Sequence, residues 1–81
     1  MITAHQTRAA RALLGWTQET LADRAAVSLT ALKRMESVNG QRVFESTADS
    51  VRRALEAAGI VFINSDRHIG VMLDVPSTGR R

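Results

Sequence analysis

Thr30, Lys33, Arg34 and Ser37 recur at i, i+3, i+4 and i+7, the spacing that gathers side chains on one face of a helix. Their chemistry is that of hydrogen-bond donors and positive charge, which suits the acceptor-rich floor of a DNA major groove. Other reactive residue types are scattered. His5 and His68 stand apart, with no Cys and no clustered carboxylates at metal-ligand spacing, and read as surface histidines. Ser28, Ser46 and Thr47 are better placed as helix caps than as nucleophiles. The five glycines lie at helix ends and turns rather than in a phosphate-binding loop. No catalytic centre, metal or cofactor is expected.

To present that stripe, residues 17–36 must form two short helices joined by a tight turn. Thr17 and Ser28 can each cap a helix, because a hydroxyl oxygen accepts from an otherwise unpaired N–H of the first turn. Leu21, Ala22 and Ala25 then share one face of the first helix, and Leu32 and Met35 one face of the second. Val27 falls in the turn, where an apolar side chain fills the angle between the two.

The run Gln18, Ala22, Ala26-Val27-Ser28, Leu32, Met35-Glu36 resembles the helix-turn-helix of Cro/CI-type (XRE family) repressors and regulators. Leu14-Gly15-Trp16-Thr17-Gln18-Glu19 is similar to the approach to that family's second helix, and the resemblance spans residues 8 to about 58. One residue departs from the pattern. The family usually has Gly where Ala26 stands, because the backbone there tends to be left-handed, a conformation that costs alanine roughly 1 kcal/mol.

The resemblance implies a mainly α fold, a four-helix lambda-repressor-like helix-turn-helix domain, and sequence-specific binding of double-stranded DNA as a transcriptional regulator. The third helix would enter the major groove, with Leu29, Thr30, Lys33 and Arg34 at the base-reading positions. Thr17, Gln18, Ser28, Asn39 and Arg42 would meet phosphates, Gln18 as the clamp at a helix N-terminus and Arg42 from a loop that follows the sugar-phosphate backbone. It also implies an ion pair between Arg11 and Glu36, tying the first helix to the third.

The remaining chain supplies the supports. Residues 3–14 read as a helix with Thr3 and Gln6 as a capping box, Gly15 as its stop, and Ala9, Ala10, Leu13 and Leu14 as its buried stripe. Trp16 is the only Trp, and its indole is expected to cover the core rather than stack on a base. Asn39-Gly40 favours a turn, and Val43 and Phe44 are expected to fold back onto the core. Ser46-x-x-Asp49 marks a fourth helix, with Ala48, Val51, Leu55 and Ala58 inward and Arg52 and Arg53 solvated, ended by Gly59. Two β-rich runs, 60–63 and 69–73, joined by a polar loop, then form a C-terminal hairpin.

Both hairpin faces are apolar, and a lone two-stranded sheet is marginal in water. One face is expected to pack on helices and the other on a second copy, with Ile60, Val61, Phe62, Ile63, Val71 and Leu73 as the dimer interface. Residues 1–73 are thus expected to form a single domain, and 74–81 a flexible tail. Eighty-one residues allow one small core. The net charge of +3 falls wholly within residues 1–44, the half that carries the basic stripe. Without cysteine, a signal peptide or a membrane-length apolar run, the chain is expected to act in the cytoplasm, off the membrane. An alternative function class is a protein-interaction module, an antitoxin or antiactivator that meets a protein partner through the apolar hairpin.

Overall fold

Thr3 starts the first helix. Its hydroxyl accepts from the Gln6 N–H at 3.1 Å while the Gln6 carboxamide accepts from the Thr3 N–H at 2.9 Å, a reciprocal capping box. The computed structural model of the chain describes residues 2–37 and 43–75. Among them are α1 (Ala4–Leu14), α2 (Gln18–Ala25), α3 (Leu29–Glu36) and α4 (Glu45–Ala57), followed by β1 (Ile60–Asn64) and β2 (Ile69–Leu73). No helix among the described residues is long and apolar enough to cross a membrane.

The buried face of α1 is not the expected one. Ala10 is buried and Leu14 half-buried, but Ala9 and Leu13 are exposed, and Gln6 and Thr7 are inside. Polar side chains are tolerated there because each finds partners. The Thr7 hydroxyl donates to the Thr3 carbonyl at 3.0 Å. The Gln6 amide nitrogen reaches the carbonyls of Ile63 at 3.2 Å and Gly70 at 3.0 Å, and the Asn64 side-chain oxygen. Gln6 therefore ties α1 across both strands of the hairpin.

α2 and α3 form as their caps dictate. Thr17 accepts from the Thr20 N–H and Ser28 from the Ala31 N–H, each at 3.0 Å. Between the helices Ala26 takes the left-handed conformation, φ 58° and ψ 42°, and its neighbour's N–H (Val27) closes on the Ala22 carbonyl at 3.0 Å. Leu21, Ala22 and Ala25 of α2 meet Leu32 and Met35 of α3 in the core, which Ala48, Val51 and Leu55 of α4 complete. Each fully buried Leu contributes roughly 2 kcal/mol by leaving water.

α4 starts two residues earlier than a cap at Ser46 would place it. Phe44 occupies the cap position and makes no side-chain cap bond. Asp49 is drawn away from a capping role by Arg52 and Arg53, and the Arg52 hydrogen bond holds its carboxyl below the usual carboxylate range. Val43 packs against the core as expected, but Phe44 does not fold back and is 73% exposed. Ala58 caps the C-terminal end, half-buried.

Gly59 turns the chain into the sheet at φ 106°, where an added Cβ would sit 3.0 Å from the Asp74 carbonyl oxygen. The two strands pair antiparallel, Ile60 opposite Leu73 and Phe62 opposite Val71, with β2 along α1 and β1 along α4. The ladder runs one residue beyond the expected tail boundary, since the Asp74 N–H donates to the Gly59 carbonyl at 2.7 Å. Residues 76–81 of that tail, and the Asn39-Gly40 turn, lie outside the described residues.

Ala26→Gly is expected to be neutral to stabilising by a few tenths of a kcal/mol: relief of left-handed strain, about 1 kcal/mol, is partly offset by the greater freedom of glycine when unfolded. Denaturant unfolding followed by Trp16 fluorescence at fixed protein concentration reads the sign. A loss of a full kcal/mol would contradict the left-handed turn.

Candidate nucleic-acid interface

α3 carries the polar stripe outward because its opposite side is consumed by the core. Leu32, Met35 and Glu36 are buried, while Thr30, Lys33 and Arg34 are exposed. Leu29, expected beside them, is half-buried against the core, so only part of it faces outward. Ser37 follows the helix, half-buried, its N–H on the Arg34 carbonyl.

The rear of α3 is fixed by charge. Glu36 is 4% exposed, and a carboxylate so far from water requires several donors. Arg11 supplies two, from Nε to Oε2 and from Nη2 to Oε1, both at 2.8 Å. Gln18 supplies a third, from Nε2 to Oε1 at 3.0 Å. The remaining Arg11 nitrogen donates to the Trp16 carbonyl at 3.2 Å, and Arg8 donates to the main-chain carbonyl of Glu36. Hydrogen bonding to Glu36 outweighs burial and raises the Arg11 guanidinium above its ordinary value. One carboxylate thus joins α1, α2 and α3, and the Arg11–Glu36 pair stands as expected.

The residues expected at phosphates fall differently. Gln18 sits at the N-terminus of α2, but its amide nitrogen is engaged by Glu36. The Thr17 hydroxyl accepts from the Thr20 N–H and donates to the Thr20 hydroxyl at 3.0 Å, which leaves it little to offer a ligand. Ser28 is exposed at the start of α3, its oxygen capping that helix. Asn39 and Arg42 lie outside the described residues. Trp16 is half-buried against the core as expected, and Arg24 lies over its ring, 4.8 Å from the centroid.

The expected dimer residues divide by face. Ile60 is 3% exposed and belongs to the protomer core, and Phe62, Val71 and Leu73 pack against that core. The reason is the two-residue period of a strand, which sends these four toward the helices together. Val61 and Ile63 point the other way, with Met72 opposite Val61 in the ladder. Val61 and Met72 are 43% and 53% exposed.

Three features escaped the sequence reading: the Gln18 bond to Glu36, the Arg8 bond to its carbonyl, and the exposed Phe44. Arg8 precedes Arg11 by three residues and so shares its helix side, a signal the sequence did contain. Among the described residues no group of three His, Cys, Asp or Glu gathers to hold a metal. Compared with models of protein families and with curated proteins, the chain matches none.

Arg11→Met strands Glu36 at 3% side-chain exposure and is expected to cost about 3 kcal/mol or more. Glu36→Gln is expected to cost less, because the Arg11 side chain is 21% exposed and can turn its charge to water. Chemical denaturation of both variants measures the order; a cheaper Arg11→Met would contradict it.

Proposed function

We propose that this chain binds double-stranded DNA sequence-specifically through a helix-turn-helix made of α2 and α3, and acts as a small transcriptional regulator. The observation that carries this reading is the α3 front: Thr30, Lys33 and Arg34 stand exposed on one face while the other is locked into the core through Glu36. A rigid, cationic, donor-rich helix of eight residues fits the width of a major groove. Arg34 takes guanine O6 and N7 with its two terminal nitrogens, Thr30 and Lys33 extend the reading face, and Leu29 offers its outward part to a thymine methyl. Phosphate contacts come from the N-terminal ends of α2 and α3 and from Arg42 and Asn39. No metal or cofactor enters this reading.

The proposed active form is a homodimer on a two-fold operator, with half-sites about 34 Å apart so that both α3 helices meet the same side of the duplex. The outer hairpin face of Val61, Ile63 and Met72 is its contact surface. That same exposed face carries a second reading, in which the hairpin docks a different protein and the chain works as an antitoxin or antiactivator. A hairpin that serves only a foreign partner leaves the isolated chain monomeric; a homodimer does not.

Selection of bound sequences from random duplex DNA is expected to return a two-fold symmetric site, and failure to enrich any sequence would sink the DNA reading. On the selected duplex Arg34→Ala is expected to lose roughly 1–3 kcal/mol and to relax base choice at one position per half-site. Equal losses on cognate and scrambled duplexes would remove Arg34 from the reading set. Val61→Asp is expected to shift the protein to monomer with unchanged circular dichroism, whereas Phe62→Asp, facing the core, is expected to unfold it. Light scattering that finds Val61→Asp still dimeric would move the interface off the hairpin.

A further inference from the structure

Phe44 is 73% exposed, a phenyl ring left largely in water at the start of α4. It holds the cap position of α4 without a side-chain cap bond, where Ser, Thr, Asp or Asn would stabilise the helix. The other large apolar residues left in water, Leu13, Val61, Ile69, Met72 and Val75, lie on α1, the hairpin and the residues after it. Phe44 lies on none of those elements but at the junction of α3 and α4. A single ring also offers far less area than a protein partner needs.

Its surroundings indicate another occupant. The ring lines a cleft of about 230 Å³ between α3 and the first turn of α4, together with Thr30, Arg34, Ser28 and Thr47. Among the described residues that lining includes one arginine, three hydroxyl-bearing side chains and no carboxylate. The acidic residues of the α4 first turns, Glu45 and Asp49, line a separate cleft with Ile2 and Arg52. The described residues lining the Phe44 cleft thus present a cation and hydroxyl-bearing side chains to a polyanion, while Glu45 and Asp49 line the other cleft. Arg34 and Thr30 belong at once to this cleft and to the α3 front, so whatever α3 reads lies beside the ring. On the major-groove edge of a base pair the apolar feature is the thymine C5-methyl.

We infer that Phe44 is a base-contacting residue, its ring seated against a thymine C5-methyl at the margin of the sequence read by α3. This rests on the duplex-binding reading above and extends its recognition surface from α3 to the start of α4. Thr47, which lines the same cleft, stands on the phosphate side of that contact.

Deoxyuridine scanning of the selected duplex tests the contact, because each replacement removes one methyl and leaves the pairing edge intact. For the wild type, one position at the margin of each half-site, distinct from any thymine met by Leu29, is expected to lose about fourfold in affinity, the factor corresponding to one methyl. The same replacement is expected to leave Phe44→Ala unaffected. On the unmodified duplex Phe44→Ala is expected to bind roughly fivefold more weakly with an unchanged salt slope, since no phosphate contact is removed. Phe44→Leu, which keeps an apolar side chain, is expected to fall between, and it carries the test if the alanine variant does not fold. Methyl losses equal in wild type and Phe44→Ala at every thymine overturn the inference while leaving DNA binding intact, as does a selected site with no thymine at its margin. A wild type that binds no duplex overturns both.

Discussion

The carboxylate of Glu36 lies almost out of water at the end of α3, and the orientation of three helices follows from how it is satisfied. An isolated buried carboxylate is prohibitively unstable, so the fold must bring donors to it. Arg11 arrives from α1 as a planar fork that matches both oxygens, and Gln18 arrives from the first turn of α2. A point charge such as lysine would meet the charge requirement without fixing an angle. The fork fixes one, and α3 is presented at a set tilt with its basic side in solvent. Arg8 adds to this by binding the Glu36 carbonyl, one of the otherwise unpaired acceptors at that helix end.

A second polar tie works at the other side of α1. The Gln6 amide spans both strands of the hairpin, bonding carbonyls 57 and 64 residues away along the chain. A two-stranded sheet has little stability of its own, and this one draws it from α1 and α4. The result is a hairpin with one face used up by the protomer and one left open. Two buried polar side chains on α1, Gln6 and Thr7, together with Ala10, occupy positions that a purely apolar count assigns elsewhere. Their cost is low because every buried side-chain polar atom of the described residues has a partner.

These ties give the α3 front a rigid base. An exposed recognition surface loses affinity to any conformational freedom it must give up on binding, and a short helix alone would be frayed. The core holds α3 along Leu32 and Met35, Ser28 caps its start, and the Glu36 network closes its end. What remains free on its surface is side-chain motion of Thr30, Lys33 and Arg34. The left-handed turn at Ala26 sets the angle at which α3 leaves α2, and it persists in a residue with a Cβ because the packing on both sides over-determines it.

The sequence alone settled what depends on near neighbours. The capping box of Thr3 and Gln6, the caps at Thr17 and Ser28, the core faces of α2 and α3 and the antiparallel pairing after Gly59 were all legible, because caps and periodicities act within three or four residues. The Arg11–Glu36 pair was read from a family resemblance, not from the two residues themselves, which stand 25 positions apart. The tertiary structure decided the rest: which side of α1 is buried, that Ile60, Phe62, Val71 and Leu73 serve the protomer core, that Gln18 turns to Glu36, and that Phe44 stays in water. Each of these depends on a partner brought from far along the chain. Apolar character states that a side chain gains by burial, but only the assembled helices determine which face has something to be buried against.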